Sequence, residues 1–261
     1  MTGTRPGSRA VYYSLDSRRK YIDFAKRSVA SLRKFNKDIS VHLFIYGAVD
    51  PRDRAFFSRH GVRIHARREQ RRIMPTFLKW LSLPELSEEN ILFCDADTVF
   101  YRDPAALFDR FNKKDFYARR EFGTSWPAFE AEKTMTCYQL KDERFSRLLK
   151  MLNLKRMPVF NSGVMLFNRG AHKKFFFREF LFYYMLFNSL RIPYPAVNSH
   201  IMDEIVASLV MGGLTSLRYG FLDKEAVPLY REIKLKIAQG FGTVTHVGSL
   251  DYRDYSKHGP A

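Results

Sequence analysis

Asn90-Ile91-Leu92-Phe93-Cys94-Asp95-Ala96-Asp97 runs apolar for four residues and then ends in two carboxylates two positions apart. A short apolar run bounded by polar residues reads as a buried strand, and paired acids at its end read as the wall of a cleft. On a strand, positions i and i+2 face the same side, so Asp95 and Asp97 would converge on one hard divalent cation, Mn²⁺ or Mg²⁺. Mg²⁺ is held by one or two carboxylates and leaves its other positions to phosphate oxygens and water. The expectation from this stretch is an enzyme that handles a nucleoside diphosphate.

Working outward, Val11 to Leu15 reads as a first strand, with Asp16 or Ser17 capping the helix that follows. That helix carries Tyr21, Phe24, Ala25, Ser28, Val29 and Leu32 at three- and four-residue spacing. Val41 to Tyr46 is a second strand ended by Gly47, Asp53 to His60 a short helix, and Val62 to His65 a third strand after Gly61. Pro75 to Leu83 is a further helix and Ile91 to Cys94 the fourth strand. Strands alternating with helices predict an α/β fold with a largely parallel sheet. Ligands of such sheets bind beyond the carboxyl ends of the strands, where Asp95 and Asp97 fall. Downstream, Asp115 to Ala118 reads as a short strand, Phe122 to Pro127 as a loop and Arg144 to Leu154 as a helix. Val159 to Asn168 reads as a strand broken at its centre by Asn161, Ser162 and Gly163. Helices are expected at 171–190 and 198–211, then short strands and loops after Gly212-Gly213. With no internal repeat and no linker, 1–261 reads as a single domain behind a flexible tail over 1–9.

At 46% hydrophobic and 15% aromatic residues the chain is too apolar for general disorder. Its two cysteines, Cys94 and Cys137, form neither a disulfide framework nor a metal-ligand spacing. Met1 to Arg9 lacks the apolar core of a secretory signal, and no uncharged apolar window reaches spanning length. A reducing, cytoplasmic setting is therefore expected. Phe175 to Leu190 is interrupted by Arg178 and Glu179 and flanked by Lys173, Lys174 and Arg191. It reads as a core helix, or as an interfacial helix in peripheral contact with a membrane. The formal charge of +17 predicts attraction to anions, but the basic residues form no long block. Charge of this kind mostly solvates helices and loops, and no nucleic-acid partner is expected.

The order of motifs carries more. Lys79-Trp80 lies just before the acidic strand, which continues as Thr98-Val99-Phe100 and Asp103-Pro104. Asn161-Ser162-Gly163-Val164 sits in an apolar strand, Asp203-Glu204 opens a helix, and His246-Val247-Gly248 comes late. From about Val11 to Lys257 the chain resembles the GT-A nucleotide-sugar glycosyltransferases, in particular the retaining family that includes glycogenin and bacterial lipopolysaccharide galactosyltransferases. The resemblance rests on "ILFCDADTVFYRDP" together with "FNSGVMLFN".

That resemblance implies a GT-A fold, with a mixed and mainly parallel sheet flanked by helices. It implies a nucleotide-binding half over 11–110 and a sugar- and acceptor-binding half over 111–261. The activity implied is transfer of a sugar from a nucleoside diphosphate, UDP by analogy, to a saccharide, glycan or small-molecule acceptor with retention. Asp95, Asp97 and His246 would hold the metal, with Ala96 between the aspartates against the donor, and Lys79 would touch the donor. Asn161, Asp203 and Glu204 would line the sugar and the reacting centre. Tyr13, Ser14 and Asp16 would meet the base. The chain departs from the family in its tail, where Gly248 follows His246 by two residues and not three. Arg253, with Lys257 in reserve, stands in for the usual diphosphate lysine, and Glu204 occupies a position where glutamine is common.

Each residue also has a plainer reading. Asp95 and Asp97 would cap a turn, Asp103 would cap the helix after Pro104, and Asn161 with Gly163 would mark a strand bulge. Asp203 and Glu204 would be a solvated helix start, His246 a satisfied polar residue, Lys79 surface charge and Trp80 core. Three rival functions follow. A haloacid-dehalogenase-type phosphatase would use Asp95 as nucleophile and Asp97 as acid/base, but its motif follows the first strand of its fold. A basic nucleic-acid binder using Arg63 to Arg72 with Phe77 or Trp80 has no use for paired acids. A non-catalytic sugar-nucleotide binder has no use for all three of Asp95, Asp97 and His246.

Overall fold

Alternation of strand and helix is what the first hundred residues build. The structure is a computed structural model that describes residues 7–69, 75–120, 126–127, 150, 156–157, 160–175, 217–228, 230–234 and 240–247. The order is β1 (Arg9–Asp16), α1 (Arg19–Phe35), β2 (Ser40–Tyr46), α2 (Pro51–Arg59), β3 (Val62–Arg67), α3 (Pro75–Ser82), β4 (Asn90–Cys94) and β5 (Thr98–Phe100). Then come α4 (Ala105–Arg110), β6 (Phe116–Arg120), β7 (Trp126–Pro127), β8 (Arg156–Met157) and β9 (Phe160–Phe167). The described chain closes with α5 (Ala171–Phe175), β10 (Tyr219–Leu222), α6 (Tyr230–Lys234) and β11 (Val244–His246). No helix of the described residues is long and apolar enough to cross a membrane.

Seven strands form one sheet in the order β10-β6-β9-β4-β1-β2-β3. β1 pairs in parallel with both β2 and β4, and β2 with β3. β9 runs antiparallel between β4 and β6, and β10 rejoins β6 in parallel. The strand order therefore reverses at β1 and β4, which makes the crevice beyond their carboxyl ends the switch point where α/β sheets bind ligands. Two separate ribbons, β5 with β11 and β7 with β8, complete the pairing.

The central strands β1, β2, β4 and β9 are apolar on both faces because both are covered. Val11, Tyr13, Leu15, Val41, Leu43, Ile45, Leu92, Cys94, Val164 and Leu166 form one buried cluster with Ile22, Ala25, Val29 and Leu32 of α1. The opposite face is aromatic: Tyr12 packs on Phe44 and Phe93, and Phe167 on Phe116 and Trp80. Tyr12 Oη donates to the Lys79 carbonyl at 2.6 Å, tying α3 to this face. Much of the high phenylalanine content is thus a core layer, and Trp80, 1% exposed, belongs to it.

Local signals differ from expectation in three places. Trp126-Pro127, read as loop, forms β7 because β8 pairs with it. Asp16 does not cap α1: β1 continues through Asp16, paired with Tyr46, and the N-cap is Arg18 with no side-chain bond. The Asp16 carboxylate instead accepts from the Arg18 backbone N–H at 3.0 Å. Helix α2 begins at Pro51, capped by Asp50, whose side chain accepts from Arg52 N–H at 2.7 Å. Asp53 turns inward, 4% exposed, beneath Arg19 and Lys26. Asp103 does serve the start of α4, accepting from Ala105 N–H at 2.8 Å. Apart from Lys150, which is helical, the expected helix at 144–154 lies outside the described residues, as do 198–211 and most of 171–190.

Two buried polar groups yield stability predictions. Asn168, 2% exposed, donates to the carbonyls of Phe111 at 2.7 Å and Lys114 at 2.9 Å, joining the end of β9 to the turn before β6. Asn168→Ala strands both carbonyls, so urea denaturation should show a loss of about 2 kcal/mol. Glu88 is buried and accepts from His42 Nε2 at 2.9 Å. Burial works against its charge, but its own backbone N–H, His42 and Arg63 outweigh that and hold its carboxyl below the ordinary value. A depressed folded pKa stabilises the protein above the unfolded carboxylate value and ceases to as pH falls through the folded one. The stability gap between wild type and Glu88→Gln should therefore be wider at neutral pH than in acid, as urea midpoints would show.

Candidate active site

The two aspartates are presented by a turn. β4 stops at Cys94, and residues 95–97 turn back into β5, closed by Thr98 N–H donating to the Asp95 carbonyl at 3.2 Å. The carboxylates therefore converge through turn closure, and not through the two-residue alternation of a strand. The Thr98 hydroxyl donates to the same carbonyl at 2.9 Å and continues through Ser28 Oγ, 3.0 Å away, to Tyr13 Oη at 2.9 Å. This chain of hydroxyls roots the turn in the α1 side of the core. Asp95 N–H donates to the Gly163 carbonyl at 2.8 Å, and Val247 N–H donates to the Asp97 carbonyl at 3.1 Å. Three separate segments thus hold the turn.

His246 arrives by the β5–β11 ribbon, whose antiparallel register sets it opposite Thr98. The ribbon is braced from behind, where Thr243 N–H donates to the Ala226 carbonyl at 2.7 Å and His246 N–H to that of Pro228 at 3.2 Å. His246 Nε2 lies 3.4 Å from Asp97 Oδ1 and 3.8 Å from Asp95 Oδ2. One ligand atom from each of Asp95, Asp97 and His246 falls within 4.8 Å of the others. Two carboxylates and an imidazole, all partly exposed, offer one ligand atom each to a metal ion at this point.

The Asn161-Ser162-Gly163 segment forms the inner wall. Along β6 and β9 the register passes from Ala118↔Met165 directly to Arg119↔Asn161, so β9 bulges at this segment. Each of its residues then does something different. Asn161 Oδ1 lies 2.9 Å from His246 Nδ1. Ser162 Oγ accepts from Lys79 Nζ at 2.7 Å. At Gly163 an added Cβ would overlap the His246 ring, so only glycine leaves room for the imidazole. The bulge and the functional segment are one feature.

Lys79 is not surface charge. It is 6% exposed, and its ammonium lies 4.0 Å from Asp95 Oδ1 and over the Phe93 ring. A buried cation thus sits under the acidic turn and offsets its charge. Asp16, at the carboxyl end of β1, is bonded by the Arg18 guanidinium at 2.7 Å, and Arg18 stacks over the Tyr21 ring. Tyr21 has its phenol pushed above the ordinary value, first by burial and also, against the pull of Arg18, by Asp16, Asp97 and Asp95. Tyr21 packs against the core, as its spacing on α1 predicts, and with Arg18 it stands in the first turn after β1, at the switch point.

The structure brings Asp95, Asp97, His246, Asn161 and Lys79 together, with Ala96 buried at the turn. Tyr13 is 0% exposed and its hydroxyl bonds Ser28, so it lies in the core beneath the crevice. Ser14 and Asp16 stand at the crevice end of the same strand. Asp203, Glu204, Arg253 and Lys257 lie outside the described residues. Cys94, buried behind the turn, has its thiol pushed up by burial and is inert core.

No family model and no curated protein matches the sequence. Solved structures share its fold. The glycosyltransferase GlyE of Streptococcus pneumoniae superposes with a TM-score of 0.57 at 15% identity, over 93% of this chain and 56% of that one. The galactosyltransferase LgtC, in complex with donor and acceptor sugar analogs, gives 0.57 at 13% identity over 92% of this chain and 87% of that one. The bifunctional glycosyltransferase WbbM gives 16% identity over 95% of this chain and 47% of that one, with a TM-score of 0.57. This chain thus spans little more than half the length of the GlyE structure. The architecture is the GT-A-like α/β fold of these glycosyltransferases.

Gly163→Ala tests the site's packing. It should cost about 1–3 kcal/mol of stability through overpacking, which urea melts of the variant would check.

Proposed function

We propose that the protein is a metal-dependent glycosyltransferase that moves a sugar from a nucleoside diphosphate, UDP by family analogy, to a hydroxyl-bearing acceptor. The observation that carries this reading is the convergence of Asp95, Asp97 and His246 at the β1/β4 switch point of a GT-A-like sheet. In the reaction the bond from the sugar's anomeric carbon to the diphosphate breaks, a bond to the acceptor oxygen forms, and the acceptor's hydroxyl proton passes to the departing diphosphate or to water. The leaving diphosphate gains negative charge, and a divalent cation would supply positive charge against it.

Asp95, Asp97 and His246 would hold that cation, and Lys79 keeps the acidic turn partly neutralised from below. Arg253, which can bind phosphate bidentately, and Lys257 are proposed to meet the diphosphate. For the base, the crevice end of β1 offers Ser14 and Asp16, with Arg18 and Tyr21 beside them. Tyr13 would support this subsite from the core. Asp203 and Glu204 are proposed to line the sugar pocket near the anomeric carbon, and retention of configuration follows the family analogy. The acceptor is a saccharide, glycan or small molecule.

A thermal-shift screen of nucleoside diphosphates and their sugars, with and without Mn²⁺, tests the reading. Wild type should be stabilised by a nucleoside diphosphate only when Mn²⁺ is present, and Asp97→Ala should lose that stabilisation together with at least about 100-fold of transfer activity. Full metal-dependent transfer or donor hydrolysis by Asp97→Ala would sink it. So would Mg²⁺-dependent phosphate release from simple monoesters, or stabilisation by oligonucleotides alone.

A further inference from the structure

Asn161 and His246 lie 85 residues apart in sequence, yet a side-chain bond of 2.9 Å joins them. Its direction can be worked out from a neighbour. Gly163 N–H, which can only donate, points at the same Asn161 atom at 3.1 Å. That atom is therefore the amide oxygen, and the usual ambiguity between the two ends of an asparagine side chain is removed. An amide oxygen can only accept, so His246 Nδ1 carries a hydrogen. In the neutral imidazole the other nitrogen, Nε2, is then the one with the lone pair. Nε2 is the atom that faces Asp97 at 3.4 Å and Asp95 at 3.8 Å.

Orientation is set along with tautomer. The imidazole edge occupies the space that a Cβ of residue 163 would fill, with Cε1, Nδ1 and Nε2 its nearest atoms. The ring lies against the bulge of β9 on one side and is bonded to Asn161 from the same bulge. Asn161 itself is paired with Arg119 in the sheet, so its amide rests on a strand. Both lone-pair directions of the Asn161 oxygen are taken, by Gly163 and His246. A sugar hydroxyl could meet this side chain only at its NH₂ end.

We infer that Asn161 is a positioning residue of the proposed metal centre: it holds His246 as the Nδ1–H tautomer with Nε2 aimed between the two aspartates. This inference rests on the metal-dependent reading above, and gives Asn161 a role separate from the sugar contact that family resemblance implies. Metal-ligating histidines depend on such outer partners, whose loss weakens metal affinity about 10- to 100-fold.

The test uses the whole chain with Mn²⁺ and no nucleotide. Asn161→Leu, of similar volume but without an acceptor, should bind Mn²⁺ about 10- to 100-fold more weakly by calorimetry. Asn161→Asp, which keeps an oxygen at the same place, should retain the wild-type affinity or exceed it. In metal-free wild type, at a pH where the imidazole is neutral, long-range ¹H–¹⁵N spectra should show His246 protonated on Nδ1, its signal assigned by loss in His246→Gln. This last measurement stands even if Asn161→Leu fails to fold. Mn²⁺ affinity unchanged in Asn161→Leu but abolished in Asp97→Ala overturns the positioning role and leaves the metal reading intact. An Nε2–H tautomer also overturns it. No Mn²⁺ uptake by the wild-type chain overturns both.

Discussion

The hydrogen bond from Asp95 N–H to the Gly163 carbonyl joins the two halves of the site. β4 ends in the acidic turn and β9 bulges beside it, and this bond fixes one against the other. The bond continues the antiparallel β4–β9 register one step past Cys94↔Val164, while on its other side β9 bulges against β6. Gly163, having no Cβ, leaves the space that the His246 ring fills.

Charge follows from that geometry. Two carboxylates held beside each other repel, and the fold answers with the Lys79 ammonium buried beneath Asp95. Lys79 can stay buried because Ser162 accepts from it and because it lies over the Phe93 ring. The aromatic layer on this face of the sheet therefore serves the site as well as the core. Asn161, Ser162 and Gly163 reach three different groups from one short stretch of strand, so each position of the motif has its own physical reason.

Much of the fold was legible in the sequence. β1 to β4 and the helices between them appear where apolar periodicity places them, because the helices bury a face against the sheet and β1, β2 and β4 are buried on both faces. Boundaries moved where long-range contacts extended an element, as when β1 ran on through Asp16 by pairing with Tyr46. β5 was not legible, and β11 was legible only as one of the unplaced short strands expected after Gly212-Gly213. Three residues each are too few for a periodic signal, and each exists as a strand only because the other pairs with it.

The site divides the same way. By itself the sequence determined the apolar run that ends in Asp95-Ala96-Asp97, the glycine in the middle of β9 and the late histidine, since composition and spacing carry those signals locally. Only the tertiary structure decided that the aspartates meet through a turn, that Lys79 points inward, and that His246 bonds Asn161. Tyr13 shows the limit most plainly: at the end of a strand it reads as a ligand contact, but the alternation of side chains turns it toward α1 and into the core. Which face a residue presents, and what it meets there, is set by the packing of distant segments, and no local pattern encodes that.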